Sequence, residues 1–136
     1  MTSSTVSYAG DLRVICTHTK SGSQIATDAP IDNNGKGEAF SPTDLMATSL
    51  ASCMFTIMGI RANKNNIPFD NAQADVEKIM AEEPRRISEI KITIQMPKHS
   101  YTDEQKKILE DAALNCPVAK SLSSEIKQTV TFEYGN

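Results

Sequence analysis

The stretch S-P-T-D-L-M-A-T-S-L-A-S-C-M-F-T-I-M-G-I-R-A-N-K-N-N, residues 41–66, decides the fold of this chain. From Leu45 to Ile60 it contains no charged residue, and its apolar side chains extend most of the way round a 3.6-residue period. This pattern predicts a helix that is buried in a core. A membrane span needs about 18–20 apolar residues, whereas this run has 16 and lies between Asp44 and Arg61. We therefore predict the central core helix of a soluble domain.

Both ends of this helix carry recognisable signals. Ser41 is the expected cap, Pro42 the first helical residue, and Asp44 the acid that reaches back to the cap N–H, as in a capping box. The asparagine-rich segment 63–66 is followed by Pro68, which a helix does not easily continue through. The sequence therefore predicts a helix that is capped at Ser41 and ends within residues 63–66.

Residues outside the helix alternate between apolar and polar side chains, which is typical of strands. We expect strands with turns at Gly10-Asp11 and Ser21-Gly22 before the helix. After it we expect strands at 73–80, 87–96 and 129–134, a second helix that opens with a capping box at Thr102, and a short third helix at 118–126. This order predicts an α+β fold with largely antiparallel sheets around the central helix.

Length, charge and the first residues limit the possible classes of protein. A chain of 136 residues is expected to form one domain, residues 1–136. Its net charge of −3 gives no reason to expect a nucleic acid or a membrane as partner. The opening M-T-S-S has neither the basic nor the apolar segment of a signal peptide, so we expect a cytoplasmic protein.

The chain has three cysteines, an odd number that argues against a structural disulfide framework. Cys53 lies in the middle of the central helix, either as a small buried apolar residue or as a functional thiol. Cys116 precedes Pro117 and is the expected N-cap of a helix, where backbone amides stabilise a thiolate; a redox role and a structural role are both open. Cys16, in a strand, is expected to be a core residue.

Other site chemistries find little support. A zinc site needs closely spaced ligands, and three scattered cysteines with His18 and His99 do not supply them. Gly35-Lys36-Gly37 lacks the spacing of a phosphate-binding loop and is typical of a turn. We expect neither a metal nor another cofactor.

Two cysteine motifs carry a resemblance to a known family. The segment S-P-T-D-L-M-A-T-S-L-A-S-C ends at Cys53, and N-C-P-V-A-K-S-L places Cys116 63 residues later. Together with P-R-R-I-S-E-I and the F-E-Y near the end, these motifs resemble the OsmC/Ohr family over residues 17–134.

The resemblance implies an OsmC-like fold, an intertwined homodimer with two active sites at the subunit interface, and a role in oxidative stress defence. Family enzymes are thiol peroxidases that reduce organic hydroperoxides. Cys53 matches the peroxidatic cysteine, which becomes a sulfenic acid, and Cys116 matches the resolving cysteine, which forms a disulfide with it. An external dithiol, often a lipoylated protein, then reduces the disulfide.

This chain departs from the family pattern beside the thiols. Family peroxidases have a glutamate directly after the proline at the helix start. This chain has Thr43 at that position, and its acidic residue, Asp44, comes one position later. In the family the glutamate pairs with an arginine, and the early hairpin of this chain offers Lys20 in place of that arginine. Lys20, Thr43 and Asp44 are therefore the candidate thiolate-activating residues. The departures leave two alternatives to a peroxidase: a non-catalytic OsmC-like module that binds a hydrophobic ligand, and a dithiol redox sensor.

Overall fold

The computed structural model describes residues 2–135, in which six strands and three α-helices alternate in the order expected of an α+β fold. The elements are β1 Ser4–Gly10, β2 Arg13–His18, β3 Gln24–Asp28, a 3₁₀ turn Ile31–Asn33, α1 Pro42–Lys64, β4 Gln73–Ala81, β5 Arg86–Gln95, α2 Asp103–Leu114, α3 Pro117–Ser121 and β6 Lys127–Glu133. Two compact units are distinguished, one up to Met46 and one from Ala47 onward. Each unit contains one three-stranded sheet. The assignment of residues 1–136 to a single domain stays a prediction.

The sheet of the first unit is an antiparallel meander of β1, β2 and β3. The predicted turn after Gly10 is confirmed: Asp11 and Leu12 have φ values of 54° and 62°, the left-handed pair that a two-residue type I′ hairpin requires. Leu12 is unusual in that conformation, and its backbone N–H donates to the Tyr8 hydroxyl at 3.1 Å. A side chain of β1 therefore helps to hold the turn.

A bidentate ion pair joins β2 to β3 in the first unit. Arg13 donates from Nε and Nη2 to the two carboxylate oxygens of the fully buried Asp28, at 2.7 and 2.8 Å. Asp28 also accepts the backbone N–H of Glu38, and its own N–H donates to the Phe40 carbonyl. The loop between β3 and α1 is therefore attached to the sheet through both the carboxylate and the backbone N–H of the buried Asp28.

The predicted limits of α1 are confirmed. The Asp44 N–H donates to the Ser41 hydroxyl at 3.1 Å, and the Ser41 N–H donates to the Asp44 carboxylate at 3.0 Å, which is the reciprocal pair of a capping box. At the other end, Asn66 is left-handed with a φ of 53°, and the Ile67 N–H donates to the Ala62 carbonyl. The left-handed Asn66 and this hydrogen bond terminate the helix after Lys64.

The core belongs to the second unit, and α1 supplies much of it. Its buried residues there are Ala47, Leu50, Ala51, Met54, Met58 and Ala62. They form one cluster with Ile90, Ile92 and Ile94 of β5 and Leu109, Ala112 and Ala113 of α2. The helix has the length and apolarity of a membrane span, but this burial identifies it as a core helix. Its other sides are less covered, since the side chain of Ile60 is 47% exposed.

The sheet of the second unit is mixed. β4 and β5 are antiparallel, whereas β5 and β6 are parallel, with Ile92 opposite Val130. A parallel pair needs a long crossover connection, and α2 and α3 lie within that connection. The predicted α+β class is confirmed, with this one parallel pair among the antiparallel ones.

The third helix is shorter than its predicted range of 118–126. It covers Pro117–Ser121 and ends at an extended Leu122. Beyond it, the Ser123 hydroxyl accepts the Glu125 N–H and the Ser123 carbonyl accepts the Ile126 N–H. A serine that binds nearby backbone groups in this way competes with helix formation, which explains the early end.

Replacing Asp28 with asparagine should make stability less dependent on pH. The hydrogen bond from Arg13 holds the pKa of the Asp28 carboxyl below its usual 3.8. A lowered carboxyl pKa stabilises the folded state fully above the unfolded-state value and ceases to do so as the pH falls through the folded-state value. Asp28→Asn should therefore have a lower urea midpoint than wild type at pH 7. Between pH 7 and pH 2 its midpoint should fall by less than the wild-type midpoint does.

The matched control is Glu38→Gln, because Glu38 contacts the same arginine with a side chain that is 68% exposed. Exposed ion pairs contribute little to stability, so this variant should follow the wild-type pH profile. Parallel profiles for wild type and Asp28→Asn would contradict the assignment of the ion pair.

Candidate functional site

The first component of the site is Cys53, a half-buried residue on α1. It packs against the core of the second unit. The adjacent Met54 is completely buried, as is Leu50 one turn earlier. The turn of helix that carries the thiol is therefore fixed by core packing, while the thiol itself retains some access to solvent.

The second component is Cys116, which the structure places at the N-cap of α3, as predicted. Its backbone is extended, with φ −68° and ψ 155°, and Pro117 is the first helical residue. The Cys116 N–H donates to the Ala113 carbonyl at the end of α2, and its carbonyl accepts the Lys120 N–H at 3.1 Å. Cys116 has no exposed surface. The residue thus closes one helix, opens the next and lies entirely in the core.

The backbone amides at the start of α3 favour a Cys116 thiolate, as expected, but burial outweighs them and the pKa is raised. Burial raises the pKa of the Cys116 thiol, and Cys53 raises it further through a hydrogen bond and its charge, whereas the backbone amides of Ala119 and Val118 act in the opposite direction. Removal from water is the larger effect because it disfavours any thiolate. The net effect is a raised pKa of the Cys116 thiol, which disfavours its thiolate.

The closeness of Cys53 to Cys116, indicated by the effect of Cys53 on the pKa of the Cys116 thiol, is the central feature of the site. Both residues are free thiols. The sequence alone does not bring them together, because 63 residues separate them and neither spacing nor periodicity shows which turn of α1 lies against the start of α3. The packing of α1, α2 and α3 in one core produces the pair.

The three candidate activating residues all belong to the first unit. Asp44 holds the helix cap through Ser41, and the hydroxyl of Thr43 lies 3.3 Å from that of Ser41. Lys20 is exposed in the turn between β2 and β3. The capping contact of Asp44 follows directly from the sequence pattern, whereas a role of these residues in thiolate activation stays a prediction.

Cys16 is not a core residue, contrary to the expectation. It is half-exposed on β2 and lines a groove of about 380 Å³ in the first unit, together with His18, Ser23, Ile25 and Leu45. Alternation along β2 was too weak to show which side of the strand is covered. Among the described residues, no group of three or more His, Cys, Asp or Glu side chains is arranged to hold a metal ion.

Sequence reasoning also missed the pairing of Arg13 with Asp28. The two residues are 15 positions apart on neighbouring strands, and only the β2–β3 register, in which they are directly opposite, brings them together. A charged residue at the end of each of two predicted strands was the available signal. To use this signal, one would have had to know the register between β2 and β3.

Comparisons with known proteins agree on one family. A family model described as OsmC-like protein matches residues 35–131. The structure of a Psychrobacter arcticus 273-4 protein, named for osmotic stress induction and a detoxification response, is 52% identical, with a TM-score of 0.94, over 98% of this chain and 96% of that chain. The comparison with curated protein sequences gave no match.

More distant structures share the fold. The OsmC organic hydroperoxide resistance protein of Legionella pneumophila is 15% identical, with a TM-score of 0.73, over 98% of both chains. An organic hydroperoxide resistance protein of Elizabethkingia anophelis is 14% identical, with a TM-score of 0.70, over 99% of this chain and 98% of that chain. At such identities the likeness shows the fold alone.

Iodoacetamide should label Cys116 slowly in the native protein. The thiol is buried and its pKa is raised, and alkylation needs an accessible thiolate. Peptide mapping at pH 7.5 should find Cys116 unmodified long after the same residue has reacted in urea. In Cys53→Ser the contribution of Cys53 to the pKa is gone but burial remains, so Cys116 should still react slowly. Equal labelling rates in native and urea-unfolded protein would contradict this description.

Proposed function

This chain belongs to the OsmC-like protein family, and from that membership and its thiol pair we propose that it is a thiol peroxidase that reduces organic hydroperoxides in oxidative stress defence. The observation that supports the proposal most directly is that the Cys53 thiol lies close enough to Cys116 to raise its pKa. Two reduced thiols that lie close together need only a short movement to form a disulfide. The names of the Legionella and Elizabethkingia proteins point to the same substrate class.

The proposed cycle begins with attack of the Cys53 thiolate on the peroxide. An S–O bond forms, the O–O bond breaks, and the alkoxide leaves as an alcohol after taking a proton, which converts Cys53 into a sulfenic acid. Cys116 then attacks the Cys53 sulfur, a disulfide forms, and the hydroxyl group leaves as water with the thiol proton of Cys116. An external dithiol, for which a lipoylated protein is our candidate, returns both cysteines to thiols.

The roles of the two cysteines follow from their different environments. Cys53 retains access to solvent and therefore to a substrate, whereas Cys116 is completely buried and its pKa is raised. A buried neutral thiol is a poor first nucleophile for a peroxide, because the thiolate is the reactive form. Cys53 is thus our peroxidatic cysteine and Cys116 the resolving one.

We also propose that the protein works in the cytoplasm as a homodimer. In the first sheet, Val6, Cys16 and Ile25 lie in one row across the three strands, and two residues along β1 Tyr8 lies on the same side. The side chains of Val6, Tyr8 and Ile25 are 67%, 65% and 50% exposed. An apolar strand face left open in this way is typical of a surface covered by another subunit.

The proposal predicts hydroperoxide turnover that depends on two of the three cysteines. Wild type should consume cumene hydroperoxide in the presence of dihydrolipoamide. Cys53→Ser should abolish consumption, and Cys116→Ser should stop at a Cys53 sulfenic acid that dimedone traps. Cys16→Ser is the matched control and should retain wild-type turnover. Mapping after one equivalent of peroxide should find the Cys53–Cys116 disulfide.

Two results would count against the peroxidase. A disulfide that forms with peroxide but is not turned over by any dithiol would favour the redox sensor. No reaction of Cys53 with any hydroperoxide would leave the hydrophobic-ligand module, for which the apolar groove beside Cys16 is then the candidate surface.

The homodimer predicts that stability depends on protein concentration. Its interface should be large and apolar, above about 2,000 Å² in total, and folding would be linked to association. The denaturation midpoint should therefore rise as the protein concentration is raised from about 1 to 100 μM. Sedimentation of a monomer at micromolar concentration, with a midpoint independent of concentration, would exclude the dimer.

A further inference from the structure

A polar side chain on the core side of β6 contacts α3, the helix that has Cys116 as its N-cap. Gln128, Val130 and Phe132 alternate along the strand and therefore point to the same face of the sheet. Val130 and Phe132 pack against the core, and Gln128 is half-buried at the end of their row. A polar residue in such a position is expected to have a hydrogen-bond partner, because an unpaired buried amide is costly.

The partner of Gln128 is α3. The Gln128 Nε2 donates to the backbone carbonyl of Ala119 at 3.0 Å, and the contact is partly buried. Two further hydrogen bonds lie within the segment itself: Lys120 N–H to Cys116 carbonyl, and the Ser121 hydroxyl to the Pro117 carbonyl at 2.8 Å. The Cys116 N–H also joins the start of the segment to the Ala113 carbonyl of α2. These internal bonds set the shape of the helix, whereas the bond from Gln128 sets its position relative to β6.

The location of α3 matters because its N-cap is the resolving thiol. The helix has only five residues, which is too short to be stable by itself. The backbone amide of the same Ala119 acts on the Cys116 thiol. A displacement of Ala119 would therefore move Cys116, and with it the thiol that must approach Cys53.

We propose that Gln128 is a positioning residue that keeps Cys116 beside Cys53 by holding α3 on β6. The proposal rests on the roles given to the two cysteines above and adds a residue that touches neither the substrate nor a sulfur atom. Attack of one sulfur on another is sensitive to alignment, and a misplacement of about 1 Å costs up to about 100-fold in rate in comparable cases. With α3 loosened, the Cys53 intermediate should persist longer.

The resolving step can be measured without a hydroperoxide by using the aromatic disulfide DTNB on a Cys16→Ser parent. The Cys53 thiolate attacks one sulfur of DTNB, forms a mixed disulfide and releases one thionitrobenzoate. Cys116 then attacks the Cys53 sulfur, forms the protein disulfide, releases the second thionitrobenzoate and loses its proton to solvent. The first phase reports access to Cys53, and the second reports the approach of Cys116.

In Gln128→Met, which keeps the length of the side chain but not the donor, the second phase should slow about 3- to 10-fold, as expected for the loss of one hydrogen bond. The first phase should not change. The matched control is Thr129→Val on the same strand: its hydroxyl binds the Glu89 carboxylate at 2.5 Å on the other face and does not touch α3. Both phases should match the parent in that variant.

A second variant keeps the test decisive if Gln128→Met does not fold. Gln128→Glu has nearly the same shape and offers no donor at pH 7.5, so its second phase should also be slow. With peroxide in place of DTNB, mass spectrometry should find more sulfinic acid at Cys53 in a Gln128 variant than in Thr129→Val, because the sulfenic acid waits longer for Cys116.

The outcomes separate this inference from the proposed function. A folded Gln128 variant that releases the second thionitrobenzoate at the parent rate would overturn the positioning role, whatever the peroxidase activity. A parent that consumes no hydroperoxide, but whose second phase slows in Gln128→Met and not in Thr129→Val, would refute the peroxidase and support the positioning role.

Discussion

The chemistry proposed for this chain depends on the closeness of one half-buried and one fully buried cysteine. Cys53 is placed by α1, whose buried residues fix the rotation of the helix in the core, and Cys116 is placed by the junction between α2 and α3. A change in core packing that rotates α1 or shifts α3 would therefore separate the thiols, so the stability of the core and the reactivity of the site are properties of the same set of contacts.

The two thiols illustrate how competing electrostatic effects are resolved. A helix N-terminus favours a thiolate, and the amides of Val118 and Ala119 act on Cys116 in that direction. However, α3 is a helix of five residues, and the field of a helix end acts mainly within the nearest turn. Removal of the thiol from water opposes ionisation and is the larger effect here. A residue at an N-cap is thus not an activated nucleophile unless water or a cation also reaches it.

The sequence predicted those parts of the structure that local interactions decide. The capping box at Ser41 and Asp44 and the left-handed exit at Asn66 are set by side chains within a few positions of each other, so the limits of α1 could be recognised. Pairings between residues far apart in the sequence could not be recognised in this way. The parallel partner of β5, the Arg13–Asp28 ion pair and the proximity of Cys53 to Cys116 each require a register or a packing angle that one sequence does not contain. The overlong prediction for α3 was a local error, because Ser123 binds nearby backbone groups and apolar periodicity does not register that competition.

A raised pKa at the resolving cysteine is compatible with the proposed cycle for a reason of proton balance. When Cys116 attacks the sulfenic acid of Cys53, the group that leaves is hydroxide, a poor leaving group unless it takes up a proton. A thiol that is still protonated when it approaches carries that proton to the site, where the only products are a disulfide and water. Burial of Cys116 therefore makes it unsuitable for the first attack and retains the proton that the second step consumes. Burial also lowers the fraction of Cys116 that is present as reactive thiolate. Close positioning of Cys116 beside Cys53 offsets this loss of reactivity. The support of α3 by Gln128 therefore bears on the rate as well as on the structure.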